Sequence, residues 1–188
     1  LRMMEPEETN PRAWAMAMGL CLGIGTLIKG LLACVVPVGA IFFYLLATRQ
    51  IPRLETWKRL HIPECAGIAI AVAAPWHILA MLANPPLFDF TLHAGPGQYR
   101  GFFWFYFFNE HLLRFLNLRY PRDYNTVPRV QFWLYHLLWV FPWTAFLPGV
   151  AKLRFHDANR ASRTRLLCLC TIAFVLLFFS FSTTQEYY

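Results

Sequence analysis

Charge is what this chain has least of. Only 14% of its residues are charged, Asp and Glu together number 10, and 57% of the 188 positions are hydrophobic. A water-soluble domain needs a charged surface, so this composition excludes an ordinary globular one and indicates an integral membrane protein. Cysteine is scarce and unpatterned. Cys21, Cys34, Cys168 and Cys170 lie inside apolar runs and Cys65 opens one, the count of five is odd, and Cys168 and Cys170, two apart, point to different faces of a helix. That excludes a disulfide framework and a cysteine metal knuckle, leaving small buried hydrophobes. A cleavable signal peptide is missing as well, because Leu1 to Arg12 is polar and acidic. With no initiator Met and no tail after Tyr187 and Tyr188, the chain reads as an interior piece of a longer protein.

The formal net charge of +7 raises nucleic acid as a partner. No basic helix or stacking platform supports it. The basic residues sit in short loops between apolar runs, where the positive-inside bias accounts for most of them.

Five apolar runs organise the chain: Ala13 to Ile28, Leu31 to Ala47, Cys65 to Ala83, Val130 to Val150 and Leu166 to Ser182. A spanning helix needs about 20 residues, with roughly 17 as the lower limit. The first two runs, separated by Lys29 and Gly30, are therefore short, and make sense as a tight hairpin or as helices extended by their flanks. Gly19 and Gly23, with Ala15 a turn earlier, form a small-residue stripe that predicts close packing against a neighbouring helix. Pro37, Pro75 and Pro142 lie inside runs and predict kinks. The expected fold is all-α and membrane-embedded, a single domain over 1–188 with about five transmembrane helices. Its loop from Asn84 to Arg129 carries an amphipathic interfacial helix.

Orientation follows from the cations. Placing Leu1 to Arg12, Thr48 to Ile62 and Ala151 to Arg165 on one side gathers eleven of the 17 basic residues there, so that side is expected to be cytoplasmic. The rest are Lys29 at the hairpin tip and Arg100, Arg114, Arg119, Arg122 and Arg129 in the long loop, against only Asp89, Glu110 and Asp123.

That extracytoplasmic loop contains GFFWFYFFNEHLLRFLNLRYPR, from Gly101 to Arg122. At about 100° per residue, Trp104, Phe107, Phe108, His111, Leu112 and Phe115 share one side of a helix and Glu110, Arg114 and Asn117 the other. This predicts a helix lying in the membrane interface. Arginines at the headgroup level suit an anionic partner such as a lipid phosphate, because guanidinium offers a planar fork of donors. Against that stands the plainer reading that Glu110 and Arg114, four apart, merely pair with each other.

At these residues a family resemblance enters. FFNEHLLRFL followed by RYPRDYNTVP, the earlier TLIKG, the helix containing FPWTAFLPG and the terminal FSFSTTQEYY resemble landmarks of the bacterial polyprenyl-phosphate-dependent glycosyltransferases. These are related to the protein O-mannosyltransferases and the lipid A aminoarabinose transferases of the glycosyltransferase C superfamily. The resemblance runs from about Leu20 to the last residue. It implies a bacterial inner-membrane, multi-pass enzyme that moves a sugar from a polyprenyl-phosphate carrier to an extracytoplasmic acceptor, a protein or a glycolipid. In such enzymes an acidic residue of the first extracytoplasmic loop activates the acceptor hydroxyl, and the lipid phosphate leaves. That loop is expected upstream of Leu1, so no catalytic residue is assigned here.

By the same resemblance, Lys29, His111 and Arg114 belong near the carrier phosphate, with Arg119 and Arg122 as further candidates. Glu110 and Tyr187 are expected to contact substrate or carrier. The chain departs from the family pattern at Gln185 and Glu186, where relatives carry a Lys, and at Thr91 to Gly101, which is long, rich in Gly and suited to cover the site. No cofactor or metal is expected, since Glu110 and His111, the one pair that suggests a divalent ion, diverge on a helix and lack a third ligand. Glu110, Asp89 or Asp123 would be the base only if the upstream loop does not supply it. His77 and His136, inside apolar runs, are either structural or functional polar groups. The competing readings are a transporter or flippase, whose polar side chains would line the midplane, and a non-catalytic membrane subunit.

Overall fold

The computed structural model describes residues 1–5, 7–93, 95–121, 128–150, 152–155 and 159–181. Every regular element among them is helical. They fall into two compact units, residues 1–80 with 156–175 and residues 81–155 with 176–188.

The first unit is built on α1 (Pro11–Lys29), α2 (Leu32–Ala47), the short α3 (Leu54–Arg59) and most of α4 (Ile62–Ala83), with the first part of α8 (Arg160–Phe181). Local chemistry sets the ends of α1. Asn10 caps it by accepting the Ala13 N–H at 3.1 Å, Pro11 stands at the first position, where its missing N–H costs nothing, and Gly30 at φ 74° ends it. Thr26 returns its hydroxyl to the Leu22 carbonyl at 2.8 Å, so even the polar group of the last turn is satisfied within the helix. α8 starts the same way, with Asn159 accepting the Ser162 N–H at 2.7 Å.

The small-residue stripe does what its spacing predicts. Ala15 is fully buried, a Cβ on Gly19 would collide with the Cys65 carbonyl, and one on Gly23 would lie 2.7 Å from the Val72 Cβ and 2.9 Å from the Ala69 carbonyl. α1 therefore lies backbone to backbone on α4, and dispersion between closely approaching helices takes the place of a hydrophobic drive that lipid does not supply. Gly39 of α2 is in the same way covered by the ring of Phe174 from α8, which also meets Phe43 edge-on at 5.5 Å. At one end of the unit Arg59 donates to the carbonyls of Glu5 and Glu8 at 2.9 and 3.2 Å, and Arg160 pairs with Glu5 at 3.3 Å.

Three helical stretches are long and apolar enough to cross a membrane: Pro11–Lys29, Leu54–Ala83 and Arg160–Phe181; α2, at 16 residues, is shorter. The extension of α1 by its flank matches one of the two ways the sequence allowed a short run to span. The fourth run differs from expectation. Val130 to Val150 is not one helix, for α6 (Arg129–Trp139) stops, a 3₁₀ turn covers Trp143–Phe146, and α7 holds only Leu147–Val150. Pro142, between α6 and the 3₁₀ turn, lacks the N–H that a continuing helix needs, and its ring would clash with the preceding turn. Pro37 and Pro75, by contrast, lie within continuous helices.

The second unit holds the end of α4 from Met81, the loop that follows it, α5 (Gly101–Phe103), α6, α7 and the last turns of α8. α5 runs directly into a π-helix, Trp104–Leu113. Gly101 is the hinge on which this segment enters. At φ 80°, with the Pro86 carbonyl where a Cβ would stand and the Phe102 N–H donating to the Asn84 carbonyl at 3.0 Å, no other residue fits without strain.

Candidate functional site

The wider winding of Trp104–Leu113 rearranges the faces read from the sequence. Its hydrogen bonds reach five residues back, as when the Arg114 N–H meets the Asn109 carbonyl. The buried positions are accordingly Trp104, Asn109 and Leu113, five and then four apart, while Leu112 is 41% exposed. The expected face of Trp104, Phe107, Phe108, His111, Leu112 and Phe115 is therefore not one side of this helix. Trp104 is 2% exposed, and its indole N–H donates to the Thr91 carbonyl at 2.6 Å. It anchors the preceding loop rather than facing lipid.

That loop is tied at both ends. Asp89 accepts the Thr91 N–H at 2.8 Å and pairs with Arg100 at 3.3 Å, while Arg100 also reaches Gln98 at 3.0 Å. The hydrogen bonds from Thr91, reinforced by Arg100, hold the Asp89 carboxyl below the usual carboxylate range. Phe88 and Phe90 pack on Phe103 at 5.1 and 5.4 Å, and Phe90 also meets Phe108 at 6.0 Å. Asp89, one of the alternative bases, is thus engaged in holding the loop.

Past Leu113 the chain turns back on itself. The Asn117 N–H bonds the Arg114 carbonyl at 3.0 Å and the Leu118 N–H the Leu113 carbonyl at 2.7 Å, while Asn117 itself adopts φ 56°, a left-handed conformation that Asn tolerates. The return brings two loop residues onto two helix residues. Tyr120 offers both backbone groups to the buried Asn109 carboxamide, which donates to its carbonyl at 3.0 Å and accepts its N–H at 3.2 Å. Arg119 places one guanidinium nitrogen 2.8 and 3.0 Å from the two carboxylate oxygens of Glu110. Arg114 stands 3.5 Å from the same carboxylate. One carboxylate thus meets two guanidiniums.

Glu110 and Arg114 do pair, as the plainer sequence reading held, although Arg119 makes the shorter contact. The Arg119 and Glu110 side chains are 17% and 25% exposed, so the dielectric around them lies below that of bulk water and an incoming anion would be felt strongly. His111 bonds the Tyr106 carbonyl through Nδ1 and lies 4.7 Å from its ring. A carbonyl only accepts, so Nδ1 carries the hydrogen. In the same way His77 bonds the Ala73 carbonyl through Nδ1 at 2.8 Å and His136 the Phe132 carbonyl at 2.9 Å.

Of the sequence candidates, one unit thus brings together Glu110, Arg114 and Arg119, with His111 on the same helix. Lys29 belongs to the other unit, exposed at the end of α1, and among the described residues no carboxylate pairs with it. Arg122, Asp123 and Tyr187 lie outside the described residues. Among the described residues no three His, Cys, Asp or Glu side chains come together as metal ligands. Asn109 and Asn117 organise the cluster but were not singled out by sequence reasoning. The signal available was an Asn directly after an aromatic run and another directly after the last helical turn.

Comparison with known proteins finds that most of the chain is similar to a segment of a class of bacterial transferases that use polyprenyl-phosphate-linked sugars. Within that class, its relatives are undecaprenyl phosphate-alpha-4-amino-4-deoxy-L-arabinose arabinosyl transferases. The one from Pectobacterium carotovorum is 31% identical over 172 residues, 89% of this chain and 26% of the relative, and the one from Aeromonas salmonicida is 31% identical over 184 residues, 96% and 28%. The fold matches the crystal structure of ArnT from Cupriavidus metallidurans bound to undecaprenyl phosphate, with a TM-score of 0.73 and 21% identity over 98% of this chain and 29% of that one. The chain thus spans about a quarter of the length of the curated relatives it matches. No protein-family model matches it.

Proposed function

We propose that this chain is the donor-binding part of a bacterial inner-membrane glycosyltransferase that moves a sugar from a polyprenyl-phosphate carrier to an extracytoplasmic acceptor. The observation that carries the reading is the cluster at the end of the aromatic helix in which Arg114 and Arg119 share the Glu110 carboxylate. Two guanidiniums held side by side on one carboxylate form a site that a lipid phosphate can enter by taking over part of what Glu110 now accepts. The phosphate is both the anchor of the donor and its leaving group, so cations fixed around it stabilise the charge that develops as the glycosidic bond breaks. Lys29, His111 and Arg122 are assigned to the same phosphate, and Tyr187 to the carrier or sugar. In this reading the carrier is undecaprenyl phosphate and the transferred pentose 4-amino-4-deoxy-L-arabinose, the groups in the relatives' names, and lipid A is the acceptor to be tested.

The acid that activates the acceptor hydroxyl belongs, in this proposal, to a loop that precedes Leu1 in the complete protein. The loop over 84–129 faces the cell exterior. Its interfacial surface is formed by Leu87, Phe88, Phe90 and Leu92, each at least 43% exposed, rather than by Trp104. About five membrane crossings are assigned, α2 and the α6 region supplementing the three long stretches. The test is transfer of radiolabelled sugar from an undecaprenyl-phosphate donor to lipid A in liposomes holding the complete gene product. Turnover that falls in Arg114→Ala and Arg119→Ala at equal amounts of folded protein supports the reading. Turnover at the unaltered level in both would refute it.

A further inference from the structure

We infer that Asn109 is a positioning residue for the donor phosphate: its buried carboxamide clamps the Tyr120 backbone and so holds Arg119 at the anion site. The inference rests on the reading of that cluster as the phosphate site, and deepens it by naming what keeps the cluster in register.

The side chain is 1% exposed, yet none of its hydrogen-bonding capacity at the contact is wasted. Nδ2 donates to the Tyr120 carbonyl at 3.0 Å and Oδ1 accepts the Tyr120 N–H at 3.2 Å, so the carboxamide pairs with one residue as a strand would. Only a carboxamide supplies a donor and an acceptor side by side at this reach. Ionised Asp offers acceptors alone, and Leu, of similar size, offers neither. What is held is the backbone, because the Tyr120 ring is 43% exposed.

The register then decides the function. Asn109 and Glu110 are consecutive on the helix, Tyr120 and Arg119 consecutive on the returning chain, and the first of each pair locks the geometry of the second. With the Tyr120 N–H and carbonyl both fixed and Asn117 turning the chain at φ 56°, the Arg119 Cα has little freedom left. Its guanidinium is delivered to Glu110 at 2.8 Å, next to Arg114 on the same carboxylate. An arginine on an unanchored loop would have to order several rotatable bonds each time an anion bound. One presented by a clamped backbone has met that cost during folding.

The experiment is a double-mutant cycle on binding of undecaprenyl phosphate alone, measured with the complete protein in nanodiscs for the unaltered protein, Asn109→Ala, Arg119→Ala and the double variant. Asn109→Ala is expected to weaken binding roughly tenfold, the typical effect of orphaning a buried hydrogen-bonded partner. The double variant should bind no more weakly than Arg119→Ala, since a clamp that acts through Arg119 has nothing to position once Arg119 is gone. A purely structural Asn109 would instead multiply its loss onto that of Arg119. That outcome, or binding by Asn109→Ala at the unaltered level, overturns the inference while leaving the phosphate site standing. Arg119→Ala and Arg114→Ala both binding at the unaltered level would overturn the phosphate site itself, and the inference with it. If Asn109→Ala does not yield folded protein, Asn109→Leu, of similar size, uncharged and without donor or acceptor, takes its place in the cycle with the same expectations.

Discussion

Removing the Glu110 carboxylate separates the two things the cluster could be. Its oxygens lie 2.8 and 3.0 Å from Arg119 and 3.5 Å from Arg114, so a Glu110→Gln exchange keeps the shape and deletes the charge that both cations share. A hydrogen bond to a charged group contributes about 1.5 to 3 kcal/mol, so the thermal midpoint should fall by several degrees, the usual response to a loss of that size. For the donor the sign is opposite. With Glu110 neutral, the two guanidiniums no longer share its negative charge, and undecaprenyl phosphate should bind as tightly as before or more tightly. Arg119→Ala and Arg114→Ala each remove a cation from the phosphate and should weaken binding roughly 10- to 150-fold, since about 1.4 kcal/mol is a factor of ten. Arg119→Lys should restore little, because an ammonium cannot reproduce the planar fork. The assay is binding in nanodiscs alongside unfolding followed by intrinsic fluorescence. If the cluster is structural only, Glu110→Gln and Arg119→Ala will lower stability alike and leave phosphate binding where it was, and that pattern refutes the reasoning.

Gly101→Ala should cost about 1 to 2 kcal/mol from the positive φ alone, with the collision against the Pro86 carbonyl adding to it, and a thermal midpoint within a degree of the unaltered protein would contradict the hinge. Asp89 carries a pH signature. Its folded-state pKa is depressed, so its contribution is present above the ordinary carboxylate pKa and is lost as pH falls through the lower, folded value. Protection of the amides at residues 91–93 and 97–100, taken relative to their intrinsic exchange rates, should therefore fall on acidification, and Asp89→Asn should remove most of that dependence; an unchanged acid response in Asp89→Asn would exclude this carboxylate as its source. The proposed topology predicts that, in a cysteine-free background, a membrane-impermeant reagent labels a cysteine placed at Gly97 and spares one placed at Gln50, and the reverse pattern inverts the orientation.

The sequence by itself was enough for the membrane class, the α1–α2 hairpin, the long helices α4 and α8, and the close packing of α1. Each of these rests on local or periodic chemistry: apolar length against bilayer thickness, and Gly19 and Gly23 one turn apart, so no distant contact is needed to read them. The cations of the aromatic segment were legible for the same reason. What only the tertiary structure decided is how that segment is wound and where its end returns. Periodicity assumes an α-helix, and the π-helix from Trp104 to Leu113 shifts each successive side chain around the axis, moving Trp104 and Asn109 inside and Leu112 out. That the fourth run breaks near Pro142, while the helices run on through Pro37 and Pro75, could not be read from residue type, since all three are prolines inside apolar runs. The grip of Asn109 on Tyr120, and of Glu110 on Arg119, joins residues eleven and nine apart through a turn whose direction no residue type specifies. Hydrogen-bonding capacity is written in the side chain, but its partner is chosen by the path of the folded backbone.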